Sequence, residues 1–176
     1  MPDLAQARHA TGVHAPGVPV WSFCPRMTEI YIDADACPVK EETLRVARRH
    51  RLKTYIVSDG GVRPERDVLV EMVYVASGED AADNWIADKI ARGDICVTND
   101  IRLAARCIDA GAKAIKPNGE AFSEAGIAMA VAQRNLMADL RETGAVTGGP
   151  APFGKPDRAR FLDRLEQLVQ AARRGR

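Results

Sequence analysis

The sequence predicts an α/β fold, with a mostly parallel β-sheet of about five strands flanked by helices. Three observations carry this. Short runs rich in Val, Ile and Tyr recur from residue 29 onward, as in strands buried on both faces. Helical stretches with a single apolar stripe lie between several of these runs. Three of the runs also end in aspartates, at the edge where ligands of parallel sheets bind.

The strand-like runs are Ile30–Asp33, Thr54–Ser58, Met72–Ala76, Ile95–Thr98 and Ala112–Ile115. After the first, Pro38 suits the opening position of a helix, with Val39, Thr43, Val46 and Ala47 on one stripe. The link 58–71, with Gly60, Gly61 and Pro64, reads mostly as loop. Ala82, Trp85, Ile86 and Ile90 make a second stripe, and Ile101, Ala104, Ala105 and Ile108 a third. Longer helices are expected over 123–142 and 157–173, separated by a Gly/Pro-rich loop over 143–156. Strand and helix in alternation imply right-handed crossovers and a parallel sheet.

A chain of 176 residues fits one domain with a real core. With 46% apolar and 28% charged residues it is not a generally disordered chain. Residues 1–26, with four prolines and no periodicity, read as a disordered leader ahead of a single domain over 27–176. Residues 27–154 carry 16 Lys/Arg against 20 Asp/Glu, a net of −4, while 155–176 carry 7 against 3, a net of +4. A mildly acidic body with a basic C-terminal helix can hold a cation in the body and meet a polyanion with the tail. For the tail alone, a solvated amphipathic helix is the better of the two readings. The four cysteines form no CxxC pair, and Cys96 and Cys107 read as buried thiols. No apolar run approaches the roughly 18 residues of a membrane span. The expected compartment is a reducing cytoplasm, without membrane association.

The aspartates carry the functional argument. Asp33 and Asp35 stand two apart as the first run ends, so they face the same way. Asp80 and Asp83 lie three apart at a helix start and share a face. Asp100 follows the fourth run. Asp80 and Asp100 also suit helix N-caps, where an aspartate satisfies orphan N–H groups. Five carboxylates on one edge repel one another unless a cation is present or their protons are used. All-oxygen ligation suits Mg²⁺ or Mn²⁺, and no His–Cys set has zinc spacing. Such an ion can activate water and neutralise charge on a phosphodiester. Ser58, Thr98 and Asn99, at the strand ends, are candidates for supporting roles. The alternative for Ser58 and Thr98 is to close a turn.

Asp33-Ala34-Asp35-Ala36-Cys37-Pro38, Gly78-Glu79-Asp80-Ala81-Ala82-Asp83-Asn84, Val97-Thr98-Asn99-Asp100 and Thr147-Gly148-Gly149-Pro150 together resemble the bacterial YaiI/YqxD family, over about residues 28–165. That family, which has no established activity, in turn resembles PIN-like domains, three-layer sandwiches that include Mg²⁺-dependent nucleases acting mostly on RNA. The resemblance implies catalytic roles for Asp33, Asp83 and Asp100, with Asp35 added, and metal contacts from these four and Asp80. It implies that Gly148 and Gly149 let backbone approach a phosphate, and that Lys155 and Arg158 contact nucleic acid. PIN nucleases also carry a helical glutamate with no clear counterpart here; Glu65 and Glu71 are candidates. Two rivals remain. One is a haloacid-dehalogenase-like phosphatase with Asp33 as nucleophile, although no lysine occurs between 54 and 88. The other is a non-catalytic RNA- or metal-binding module.

Overall fold

In the computed structural model of the chain, residues 27–34, 37–76, 78, 80–142 and 153–175 are described. They form β1 (Ile30–Asp33), α1 (Lys40–His50), β2 (Thr54–Ser58), β3 (Val70–Tyr74), α2 (Ala81–Lys89), β4 (Ile95–Val97), α3 (Ile101–Asp109), β5 (Lys113–Ile115), α4 (Glu124–Glu142) and α5 (Lys155–Arg173). The strands make one sheet in the order β3-β2-β1-β4-β5, and every neighbouring pair is parallel. Helices cover both faces, so the expected three-layer α/β arrangement is present.

The central strand explains the layering. All four residues of β1 are buried. Their alternation sends Ile30 and Ile32 to one face, where they pack with Leu44, Val46 and Ala47 of α1 and Phe161, Leu165 and Val169 of α5. Tyr31 goes to the other face, among Ile86 of α2 and Leu103, Ala104 and Cys107 of α3. Each fully buried large side chain contributes roughly 1.5–3 kcal/mol.

α1 obeys the helix macrodipole, with Glu41 and Glu42 in its first turn and Arg48, Arg49 and His50 in its last. α5 is docked on it by a hydrogen bond between His50 and Glu166 (2.6 Å) and an ion pair from Arg49 to Glu166 (3.2 Å). Gly119 is also required for docking. Its φ is +87°, and a Cβ there would stand 2.7 Å from the carbonyl carbon of Arg160.

Several element boundaries differ from expectation. β3 begins two residues earlier than Met72, because Val70–Tyr74 pairs residue for residue with Thr54–Ser58. α1 begins at Lys40, leaving Pro38 in the turn before it. On α3 the fully buried residues are Leu103, Ala104 and Cys107, so the true stripe is rotated from the expected one. α3 is pressed between the sheet and α4, which buries a different arc than a helix on a sheet alone. Residues 1–26, Asp35 and the Thr147–Pro150 loop with Gly148 and Gly149 lie outside the described residues. Among the described residues no helix is long and apolar enough to cross a membrane.

Candidate functional site

The strand order reverses at β1. The chain runs outward through β2 and β3, then returns to place β4 on the other side of β1. Crevices outside the carboxyl ends of strands at such a switch point are where ligands bind in open parallel sheets. Here the crevice is a cleft of about 230 Å³ lined by Asp33, Asp59, Gly78, Asp80, Ala81, Ala82, Asp83 and Asp100.

Asp33 follows Tyr31 by two residues, so it shares Tyr31's face and turns toward α2 and α3. It is 6% exposed. On β4 the same alternation sends Thr98 to the face of Cys96, and its hydroxyl donates to Asp33 Oδ2 at 2.8 Å. The Thr98 hydroxyl also accepts from the N–H of Asp100 at 3.0 Å. One buried threonine thus ties the first acidic strand end to the second.

Asp100 is the N-cap of α3. Its Oδ1 accepts from the N–H groups of Arg102 (2.6 Å) and Leu103 (3.4 Å). Asp80 occupies the equivalent position before α2 but makes no side-chain cap. Its backbone is left-handed, with φ +62°, a conformation that costs a non-glycine residue on the order of 1 kcal/mol. Its Oδ1 pairs with Arg102 Nη2 at 3.3 Å. Capping therefore explains Asp100 in part and does not explain Asp80.

Asp83 sits one turn into α2. Burial raises its carboxyl, and the charges of Asp33, Asp100 and Asp80 raise it further. Arg102 opposes them, and the result is a pKa of about 6 against the ordinary 3.8. Four of the five expected aspartates are thus brought onto one cleft, and the fifth, Asp35, is not described.

Ser58 closes the turn after β2, exchanging hydrogen bonds with the backbone of Gly60. Asn99 is exposed beside Asp100. Lys155 is exposed at the start of α5. Arg158 turns inward, donating to Glu42 Oε1 (2.7 Å) and the Pro38 carbonyl (3.0 Å), with its guanidinium 5.0 Å from the Phe153 ring. Glu65 and Glu71 do not line the cleft: they pair with Arg48 and Lys53, each at 2.9 Å.

Two carboxylates were missed. Asp59 lines the cleft directly after β2, where its position at a strand end was the available signal. Glu42, in the first turn of α1, is buried. Its charge and that of Asp33 both reach the Cys37 thiol, which burial, first of all, pushes up to about 12. Cys37 is therefore a neutral thiol at physiological pH.

Among the described residues no three His, Cys, Asp or Glu side chains are grouped so as to enclose a metal ion. The cleft offers separate carboxylates around an open space. That suits a largely hydrated Mg²⁺ or Mn²⁺, which takes one or two carboxylates and keeps several waters.

No solved structure matches the chain. Sequence relatives are numerous. A UPF0178 protein of Ruegeria pomeroyi is 54% identical over 150 residues, covering 84% of this chain and 97% of the relative. One from Rhodospirillum rubrum is 55% identical over 149 residues (84% and 99%), and one from Roseobacter denitrificans 57% over 147 (83% and 97%). The model of the uncharacterised YaiI/YqxD family matches residues 31–171. With a match of that extent, the chain belongs to the YaiI/YqxD family.

Proposed function

We propose that this protein is a Mg²⁺- or Mn²⁺-dependent phosphodiesterase of the PIN-like type, acting on RNA. The observation that carries the reading is the convergence of Asp33, Asp59, Asp80, Asp83 and Asp100 on one cleft at the switch point. Burial first raises the Asp83 carboxyl, and repulsion from Asp33, Asp100 and Asp80 raises it further, to about 6. A divalent cation would relieve that repulsion and supply an activated water and charge neutralisation at a phosphodiester.

The chain's own groups have separable tasks. Asp33 is oriented by Thr98, as a ligand must be if it is to keep one geometry. Asp100 uses Oδ1 for the α3 cap, which fixes the direction of its carboxylate. Arg102 stands at the rim, 59% exposed, paired with Asp80 and 3.9 Å from Asp100. A guanidinium there is placed to meet a phosphate of the substrate. Arg106, bonded to Asn84 at 2.8 Å, extends the basic rim along α3. The preference for RNA over other phosphodiesters rests on the PIN-like resemblance.

The test is incubation with Mn²⁺ and end-labelled RNA, with Asp33→Asn and Asp100→Asn alongside. Cleavage lost in both variants supports the reading. Release of phosphate from p-nitrophenyl phosphate without RNA cleavage refutes it in favour of a phosphatase. RNA retained uncut would make the protein a binding module.

A further inference from the structure

β3 and β5 are the two edges of the sheet, and they are treated differently. β5 is screened. The chain turns back beside it, Ile115 bridges Ala121 in antiparallel fashion, and the Phe122 N–H donates to the Ala114 carbonyl at 2.9 Å. Among the described residues no segment pairs with the outer side of β3. None of its five residues is buried, whereas β1 is buried throughout. Tyr74, its last residue, is 55% exposed, and Val68, just before it, is 94% exposed. Sheet edges are ordinarily blunted by Pro, Lys, a bulge or a cover, because a bare edge is a template for another strand. Val70–Tyr74 contains neither Pro nor Lys and runs beside Thr54–Ser58 without a bulge.

The ladder fixes which backbone groups face outward. The Leu69 carbonyl accepts from the Thr54 N–H (2.8 Å), and the Val75 N–H donates to the Ser58 carbonyl (3.0 Å). By alternation Glu71 and Val73 also turn their backbone toward β2, while Val70, Met72, Tyr74 and Ala76 turn theirs away. The Val70 N–H is taken by the Asp67 carbonyl at 2.9 Å. Laid antiparallel on a copy of itself with Val73 on the two-fold axis, this edge sets Met72 opposite the partner's Tyr74. Each then exchanges N–H and carbonyl with the other, and the Val70 carbonyl meets the N–H of the partner's Ala76. The side chains suit this register. Met72 comes beside an aromatic ring, and Val73 beside the partner's Val73. The one charge, Glu71, falls opposite the partner's Val75 and is neutralised within its own chain by Lys53 at 2.9 Å. The edge therefore carries no net charge that would repel its copy. On the α2 side, Val73 and Val75 adjoin the partly buried Tyr55 and Trp85, whose rings lie 5.7 Å apart, so pairing covers apolar surface as well as backbone. We propose that the chain forms a two-fold homodimer through β3, which joins two sheets into one continuous sheet. The proposal does not depend on the metal-dependent reading above.

The experiment is sedimentation equilibrium of the full chain, joined to disulfide trapping. The unsubstituted chain should show twice its 19.1 kDa mass. Tyr74→Lys, a change at an exposed edge position, should halve that mass while circular dichroism shows the fold retained. In the proposed register Val73 faces its own copy at a non-hydrogen-bonded pair, with Cα atoms about 4.5 Å apart, within the span of a disulfide. Val73→Cys should therefore cross-link two chains on mild oxidation. Glu71→Cys should not, because it stands roughly 13 Å along the strand from its copy. The unsubstituted chain is the control for its own thiols. Should Tyr74→Lys fail to fold, the trapping pair decides alone. A mass that stays at 19.1 kDa up to about 1 mM, where even weak association shows, overturns the proposal. So does a dimer that Tyr74→Lys leaves intact and Val73→Cys does not trap. A monomer that instead takes up an extended peptide along β3 assigns the edge to a different partner and also overturns it.

Discussion

Replacing Asp83 with asparagine removes a charge that burial and the neighbouring aspartates both disfavour in the cleft. Its folded-state pKa is about 6 and its ordinary value 3.8, with burial the largest cause and Asp33, Asp100 and Asp80 next. Two units at about 1.4 kcal/mol each set a ceiling of roughly 3 kcal/mol. Asp83 is only half-buried, so solvent screening reduces the expected effect to about 1–2 kcal/mol. The folded state binds this proton more tightly than the unfolded chain. The fold is therefore unpenalised below the unfolded pKa, loses stability as pH rises between the two values, and carries the full penalty above about 6. Urea melts in EDTA at about pH 4 and about pH 8 read this out. Asp83→Asn should be the more stable protein at the higher pH by that margin and indistinguishable at the lower. Equal stability at the higher pH, or a gain that persists unchanged in acid, would refute the electrostatic account.

Two further substitutions test the supports of the site. Thr98→Val leaves Asp33 Oδ2 and the Asp100 N–H without the hydroxyl that serves both. It should cost about 1–3 kcal/mol in a denaturant melt and weaken Mn²⁺ binding as well. Gly119→Ala forces a methyl against the Arg160 backbone at a positive φ. It should cost more than about 2 kcal/mol, and amide exchange should accelerate first in α5. A melt matching the unsubstituted chain would show that α5 is docked otherwise.

The strands and their parallel order were legible because β1, β2 and β4 are short, β-rich and bounded by turns. β3 slipped by two residues in the reading because Val70 and Glu71 gain strand character only from their partners Thr54 and Tyr55. Asp33, Asp80, Asp83 and Asp100 could be listed as neighbours because strand ends and helix starts of a parallel sheet share one edge. What Asp100 and Asp80 each do there was not legible: one caps a helix and the other does not, a matter of local φ and of Arg102. Arg158 looked like a phosphate contact because basic residues cluster in the tail. Its partner Glu42 lies 116 residues away, and no local pattern announces such a pair. Glu42 itself looked like an ordinary first-turn acid favoured by the helix dipole.

The placement of α5 has a consequence for synthesis. β1 is translated well before α5, yet the face carrying Ile30 and Ile32 is covered partly by Phe161 and Leu165 of that helix. The bond from Thr98 to Asp33 spans 65 residues, and that from Arg158 to Glu42 spans 116. At about 5–20 residues per second, several seconds separate translation of Asp33 from that of α5. During that interval the face of β1 that carries Ile30 and Ile32 has α1 to pack against but lacks the cover that Phe161, Leu165 and Val169 supply. A chain stalled before α5 would therefore carry every cleft aspartate and still lack the clamp on the β1–α1 turn.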